Sequence, residues 1–88
     1  MSENTYQNNH SLEGTLASTT ETLTFPWPLL ELQITNDSLT DNLQFRFSTN
    51  ESYRTLYPKE TCRLENVRLR DLHINSSASV AYRIWGLG

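Results

Sequence analysis

The sequence predicts an all-β protein, a single antiparallel β-sandwich of about seven short strands. Apolar and polar residues alternate with a period of two in several segments, and no segment has a convincing helical period. Ser, Thr and Asn supply much of the polarity; they compete with helical backbone hydrogen bonds, and Thr suits strands. The 88 residues leave room for one domain.

The first twelve residues differ in composition from the rest of the chain. The stretch MSENTYQNNHSL has few large apolar side chains and no period. We therefore expect an extended polar N-terminal arm over residues 1–12 and a β-sandwich domain over residues 13–88. Because a polar arm becomes ordered only when a partner holds it, we expect this arm to contact a neighbouring subunit, with Tyr6 in the contact.

The first half of the domain contains one irregular and two regular strands. Gly14 to Phe25 predicts one long or broken strand, and the prolines on either side of Trp27 are expected to end it because neither can donate to a ladder. The two regular strands alternate cleanly, and their predicted inward residues are Leu30, Leu32 and Ile34 in one and Leu43, Phe45 and Phe47 in the other.

The second half predicts a short strand at Tyr53–Leu56, a proline-containing turn at Tyr57–Glu60 and a long strand from Cys62. The alternation slips between Leu69 and Leu72, which indicates a β-bulge at Arg70 and Asp71. The last strand, Ser79–Trp85, closes the core. The predicted core comprises Leu32, Ile34, Leu43, Phe45, Phe47, Leu64, Leu69, Ile74, Val80, Tyr82 and Ile84.

Charge and composition argue against two classes of binding partner. The formal net charge is −3, with 7 basic against 10 acidic residues, whereas nucleic-acid binding relies on clustered Lys and Arg. No apolar run approaches the length of a membrane span. We therefore expect neither a nucleic-acid nor a membrane partner. With one cysteine and no export signal, synthesis in a reducing cytoplasm is expected.

The sequence offers little catalytic chemistry. His10 lies in the polar arm and His73 on the outward phase of a strand, and neither has Cys, His or carboxylate partners at metal-ligand spacing. No nucleophile elbow and no phosphate-binding glycine loop is present. We expect no catalytic residue, no metal, no cofactor and no enzymatic activity.

Two kinds of binding remain open. Small β-sandwiches bind sugars through exposed aromatics, a role open here to Trp27, Tyr53, Tyr57 and Trp85. Aromatic and Arg side chains are also enriched at protein interfaces, and Arg83 and Trp85 lie on the outward phase of the last strand. The predicted partner-binding residues are Tyr6, Trp27, Arg83 and Trp85, with a carbohydrate-binding module as the alternative.

Residues 30–88 resemble small virion structural proteins of tailed bacteriophages. The resemblance is carried by ITND, NLQFRFS, LYPKE and LHINSSASVAYRIWG in that order. It implies a non-enzymatic virion component, a capsid decoration or head–tail accessory protein. Such a component would form a homo-oligomer and contact other virion proteins of the capsid, connector or fibre. It would be made in the cytoplasm of the bacterial host and located in the virion. The family pattern has Gly after the proline where this chain has Lys59, which makes a turn with positive φ unfavourable there.

Overall fold

The computed structural model describes residues 9–88, which form one six-stranded antiparallel sheet. In the described part of the chain, no helix has the length and apolar character needed to cross a membrane. The sheet order is β1-β6-β2-β5-β3-β4. The strands are β1 Asn9–Ala17, β2 Thr20–Asn36, β3 Leu43–Arg46, β4 Arg54–Leu56, β5 Thr61–Asn75 and β6 Ser79–Leu87.

The sheet curls, and the two halves of each of its longest strands, β2 and β5, pair within different parts of it. Residues 29–35 of β2 pair with residues 61–69 of β5 and, on the other edge, with β6, which also pairs with β1. Residues 20–24 of β2 pair with residues 71–75 of β5, whose end also pairs with β3, and β3 pairs with β4. The all-antiparallel prediction is confirmed, but six strands in one curled sheet replace the predicted sandwich of about seven.

The strand end predicted at the Pro26–Pro28 segment is absent. β2 runs through it, and the register with β5 shifts between Thr24 and Leu29. Proline is tolerated at such an irregularity because no ladder donor is needed there. The Arg70 side chain instead bonds two carbonyl oxygens of this segment, with Nε donating to Phe25 at 3.0 Å and Nη2 to Pro26 at 3.4 Å.

The first described strand includes residues that the sequence analysis assigned to the N-terminal arm. β1 begins at Asn9, so the last four residues of the predicted arm pair with β6. A turn at Ser18, which has a φ of 53°, separates β1 from β2 where one irregular strand is predicted. Residues 1–8 of the predicted arm, and Tyr6 with them, lie outside the described residues.

Two irregularities keep the apolar residues of β5 on the inner face. Glu65 and Asn66 are both exposed, and so are Arg70 and Asp71. Each pair of consecutive exposed residues resets the alternation, as a bulge does. The predicted slip at Arg70 and Asp71 is present, and Asn66, with a φ of 59°, marks a second that the sequence prediction did not include.

The inner face of the sheet encloses one apolar core. Nine predicted core residues are buried, whereas Phe47 and Leu64 are partly buried against them. Leu16, Phe25, Leu29, Leu56 and Leu72 are also buried. The inward orientation predicted for Leu30 is wrong: Leu30 is 38% exposed and Leu29 is fully buried, because the register shifts again between Leu29 and Glu31.

We predict that Phe45→Ala lowers the free energy of unfolding by about 3–5 kcal/mol, the usual cost of truncating a buried Phe. Phe45 is 2% exposed and packs at 5.9 Å, centroid to centroid, from the ring of Phe47. Chemical denaturation measures the change. The control Tyr57→Ala truncates an aromatic that is 58% exposed and should stay within about 0.5 kcal/mol of wild type. Equal losses in the two variants would contradict the described core.

The turn between β4 and β5 holds Lys59 in a left-handed conformation. Its φ is 65°, Pro58 precedes it, and the Glu60 N–H donates to the Tyr57 carbonyl oxygen at 3.0 Å. Pro at the second position and a positive φ at the third define a type II turn, which favours Gly at the third. The Glu60 carboxylate accepts a bond from the Tyr57 N–H at 2.9 Å and so stabilises a turn that its third residue disfavours.

We predict that Lys59→Gly raises the free energy of unfolding by about 1 kcal/mol, because Gly removes the steric cost of the left-handed conformation. Lys59→Ala, which keeps a Cβ, should leave stability near that of wild type. Denaturation of the three proteins side by side checks this. Destabilisation by Gly would mean that the turn does not require the left-handed conformation.

Candidate interaction site

The outward side chains of four adjacent strand segments form a continuous polar surface, here called the outer face. Strand pairing places these residues in rows across β1, β6, β2 and β5, with one side chain from each strand in a row. The outer face comprises Ser11, Glu13 and Thr15 of β1, Ala81, Arg83, Trp85 and Leu87 of β6, Glu31, Gln33 and Thr35 of β2, and Thr61, Arg63 and Glu65 of β5.

Trp85 lies in the interior of this face. Its cross-strand neighbours are Ser11 on β1 and Gln33 on β2, and Gln33 is in turn opposite Arg63. The Trp85 side chain is half-buried. Small and polar neighbours leave part of a large ring accessible, so the row presents an aromatic surface within polar surroundings. The outward orientation predicted for Trp85 agrees with this position.

Arg83 is held by a two-pronged ion pair with Asp37, the residue that follows β2. Nε donates to one carboxylate oxygen at 2.7 Å and Nη2 to the other at 3.0 Å. The Asp37 N–H also donates to the Ala81 carbonyl oxygen at 2.9 Å, which places the carboxylate beside β6. Bidentate pairing fixes the plane of a guanidinium group. The group therefore has a defined orientation on the outer face.

The ion pair shifts the pKa of the Asp37 carboxyl below its ordinary value. The hydrogen bond from Arg83 is the largest cause, partial burial opposes it, and the charges of Arg83 and Lys59 add to the lowering. The same hydrogen bond raises the pKa of Arg83. Both groups are therefore charged at neutral pH.

A second charge pair lies on the β5 side of the outer face. Nη2 of Arg63 donates to Oε1 of Glu31 at 3.1 Å, and Nε of Arg63 lies 3.7 Å from the Glu65 carboxylate. Glu31 is only 7% exposed although it is on the outward phase of β2. Central position in the sheet buries it, and pairing with Arg63 offsets the cost of that burial.

Two shallow depressions meet at Glu13 and Arg83. One has a volume of about 190 Å³ and includes Ser11, Gln33, Thr35 and Trp85 in its lining. The other, of about 340 Å³, extends towards Thr15, Asp37 and Ala81. Both are open, and their walls carry an acid, an arginine and an aromatic ring. Such a surface can contact a polar, partly aromatic partner surface.

The structure separates the predicted partner-binding residues. Arg83 and Trp85 lie together on the outer face, but Trp27 lies at the irregular segment of β2, half-buried against the core. A Cβ added at Gly88 would clash with Cδ1 of Trp27, so Gly88 packs tightly on this ring. Trp27 therefore covers one end of the core, and its predicted role in binding stays a prediction, as does that of Tyr6.

The sequence analysis did not predict the ion-pair partners of Arg83 and Arg63. Asp37 lies 46 positions before Arg83, and Glu31 lies 32 positions before Arg63. Alternation predicts that Glu31, Arg63 and Arg83 point outward, but it does not show which strands pair. The useful signal would have been the pairing of β2 with both β5 and β6.

The four aromatics considered for sugar binding occupy different elements. Trp85 is on β6 and Trp27 on β2, whereas Tyr57 is in the turn before β5. Tyr53 lies in the loop before β4, where the guanidinium carbon of Arg46 is 4.3 Å from its ring centroid. No strand or loop of the described residues presents two of them as a platform.

The described residues contain no group of three His, Cys, Asp or Glu side chains that could hold a metal ion. His73 is on the outward phase of β5, as predicted, and its Nδ1 hydrogen-bonds Oγ1 of Thr22 at 2.9 Å. Cys62 is a half-buried free thiol. Burial is the main cause that raises its pKa, so it is a neutral thiol at neutral pH.

Comparison by sequence finds no matching protein-family model and no matching curated protein. Comparison of structures finds the Cupin_2 domain of an XRE family transcriptional regulator from Enterobacter cloacae, with a TM-score of 0.63 and 17% identity over 89% of this chain and 79% of that chain. A cupin superfamily protein from Desulfitobacterium hafniense matches with a TM-score of 0.58 and 10% identity over 97% of this chain and 82% of the other.

A de novo designed double-stranded β-helix also matches, with a TM-score of 0.54 and 13% identity over 88% of this chain and 97% of the design. At these identities the likeness concerns the fold alone. The described residues therefore have a cupin-like, double-stranded β-helix fold.

These neighbours correct the predicted identity. The resemblance to tailed-phage virion proteins is wrong, and with it the predicted function as a capsid decoration or head–tail accessory protein. Virion location and contacts with capsid, connector or fibre proteins find no support in a cupin-like fold. The motifs behind the resemblance are short alternating strands and turns, which any antiparallel β-protein can contain.

We predict that Arg83→Gln raises the pKa of Asp37 towards its ordinary value of about 3.9. A folded-state pKa below the unfolded value contributes stability above about pH 4, and this contribution is lost as pH falls through the folded-state pKa. The variant should therefore lose less stability than wild type on acidification. NMR titration of the Asp37 carboxyl measures the pKa directly.

The control is Arg68→Gln, which removes an exposed arginine of β5. It changes net charge by the same amount without touching Asp37. If both variants shift the Asp37 titration equally, net charge rather than the ion pair controls this carboxyl group.

Proposed function

We propose that this protein is a non-catalytic association domain that forms a homodimer through its outer face. The observation that carries the proposal is Trp85, a half-buried aromatic ring inside a polar four-stranded surface and beside the fixed guanidinium of Arg83. Trp and Arg are the residue types most enriched among those that dominate binding energy at interfaces. Small neighbours such as Ser11 leave room for a partner side chain against the ring.

The charges of the outer face suit contact with a second copy. In a two-fold dimer the same patch meets itself, so a patch needs both signs of charge to be self-complementary. Glu13 of β1 lies directly opposite Arg83 of β6. Arg63 of β5 lies beside Glu31 of β2 and Glu65 of β5. An Arg of one subunit can thus meet a carboxylate of the other.

The non-catalytic part of the proposal is supported by the nature of the interior. The inner face of the sheet is filled by large aliphatic and aromatic side chains that are at most 7% exposed. Outward polar side chains of β2 and β5 pair with one another across the strands: Thr20 with Asn75 at 2.8 Å, Thr22 with His73 at 2.9 Å and Thr24 with Asp71 at 2.9 Å. Binding at the surface is therefore favoured over chemistry in the interior.

We expect Ser11→Arg to weaken dimerisation at least tenfold, because a long charged side chain would occupy the space beside Trp85. Ser11 is exposed and outside the core, so the variant should keep the thermal stability of the isolated chain. Sedimentation equilibrium over a concentration series measures the dimer dissociation constant. Wild type that stays monomeric at its highest soluble concentration would contradict the proposal.

Ser52→Arg is the matched control. Ser52 is exposed in the loop before β4, on another element, and the substitution adds the same side chain and charge. It should leave the dissociation constant unchanged. If it weakens association as much as Ser11→Arg does, added charge explains the result and the outer face is not the interface.

A further inference from the structure

A polar depression lies between the start of β3 and the end of β5, in a part of the sheet that the outer face does not include. Its volume is about 300 Å³, and its lining comprises Asn42, Gln44, Asn75, Ser76 and Ser77. Three of these side chains are primary amides, so the site is here called the amide depression. None of its described lining residues carries a formal charge, and none belongs to the outer face.

A chain of hydrogen bonds across three strands orients the amide group of Gln44. Gln44 lies directly opposite Asn75 in the β3–β5 ladder, and Nδ2 of Asn75 donates to Oε1 of Gln44 at 2.8 Å. Oδ1 of Asn75 in turn accepts a hydrogen bond from Oγ1 of Thr20 on β2, also at 2.8 Å. Because Gln44 is held through its oxygen, its Nε2 group is the end of the amide that remains for another partner.

One wall of the amide depression is the turn before β6, which is held in place by the turn between β1 and β2. The Ser76 N–H donates to the Thr19 carbonyl oxygen at 3.1 Å. Oγ of Ser18 donates to the Ser77 carbonyl oxygen at 2.9 Å. Ser76 is 5% exposed, and its hydroxyl donates to the Ala78 carbonyl oxygen at 2.6 Å. The backbone of this wall is therefore fixed before any ligand arrives.

The depression keeps hydrogen-bonding groups that the rest of the described chain does not use. Among the described residues, no group accepts a hydrogen bond from Nε2 of Gln44, and none bonds the side-chain amide of Asn42. Ser77 adds a hydroxyl on an exposed residue, since only its carbonyl oxygen is engaged by the neighbouring turn. An amide or a hydroxyl provides both donors and acceptors, so the three groups can do both without any charge.

A neutral saccharide matches this set of groups. Each sugar hydroxyl both donates and accepts, as the amide and hydroxyl groups of the lining do. A charged ligand would find no countercharge in the lining, and a nucleobase would find no aromatic ring on which to stack. The volume lies at the lower end of the usual range for small-molecule sites, about 300–1,000 Å³, which suits a small sugar.

We propose that the amide depression binds a neutral saccharide of one or two rings. Nε2 of Gln44 donates to one sugar hydroxyl, and the Asn42 amide and the Ser77 hydroxyl pair with others. The bonds from Thr20 and Asn75 hold Gln44 in place before binding, which lowers the cost of ordering the site. Because the hydrogen bonds are neutral and open to water, we expect a Kd of about 1–10 mM.

Side-chain amide signals make the site testable by NMR. The full-length, ¹⁵N-labelled protein is titrated separately with glucose, galactose, maltose and lactose. At about ten times the Kd, about nine-tenths of a single site is occupied. The side-chain amide signals of Gln44 and Asn42 should shift along a saturable curve with at least one sugar. The signal of Asn50, exposed in the loop before β4, should not move. No saturable shift with any of the four sugars would overturn the proposal.

Asn42→Ala and Asn50→Ala form a matched pair of variants. Each removes an amide from an exposed loop residue and leaves the net charge unchanged. Asn42→Ala should weaken binding of the tightest of the four sugars about three- to tenfold, the usual effect of losing one neutral hydrogen bond. Asn50→Ala should bind that sugar as wild type does. Equal affinity in both variants would overturn the proposal.

Two further ligands separate saccharide binding from weaker explanations. If glycerol gives the same shifts with the same midpoint as the sugars, the depression holds an adventitious additive only. Tighter binding of glucuronate than of glucose would assign the site to an anion. Either result overturns the proposal. The Ser11→Arg variant should bind the sugar as wild type does, so that loss of self-association and loss of saccharide binding are scored separately.

Discussion

Pairing between β2 and β5 is the interaction on which the rest of the structure depends. These are the two longest strands, and their ladder extends from Thr20 with Asn75 to Thr35 with Thr61. It is interrupted where β2 passes through Pro26–Pro28 and where β5 passes Asn66. The pairs on either side of these interruptions hold two parts of the sheet together, and the sheet curls around the core.

The same pairing leaves the surfaces that carry the proposed binding. With β2 in the centre and β6 on its other edge, four adjacent strands present a broad outer face, and its central residues Glu31 and Thr35 are almost buried. The outer face is thus a consequence of this strand arrangement.

Tight packing inside the sheet also constrains residues outside the proposed interface, such as Gly14 and Tyr82. Gly14 lies under the ring of Tyr82, where an added Cβ would be 2.7 Å from the phenol oxygen. That oxygen lies 3.5 Å from the carboxylate of Glu21, on the far end of β2. Burial is the main cause that raises the pKa of Tyr82, with Glu21 adding to it. The phenol therefore stays neutral and links β6 to the first part of β2.

The mistaken resemblance to phage virion proteins has a structural reason. Its motifs are alternating strands such as NLQFRFS and a proline turn, and these encode local conformation only. Folds that share such pieces differ in which strands pair, and pairing depends on contacts between residues far apart in the chain. Asn36 shows the point, because it is the last residue of β2 and yet bonds Leu56 at the end of β4 and Glu60 just before β5.

The sequence by itself determined the all-β class, most of the core and the outward orientation of Arg83 and Trp85. Those features follow from a two-residue period, because successive side chains of any strand point to opposite faces of the sheet. Only the tertiary structure decided that β2 continues through two prolines, that a turn at Ser18 separates β1 from β2, and that Arg83 pairs with Asp37. A bulge is stabilised by the strand it pairs with, and a long-range ion pair by a residue on another strand. The local sequence does not show which strand that is.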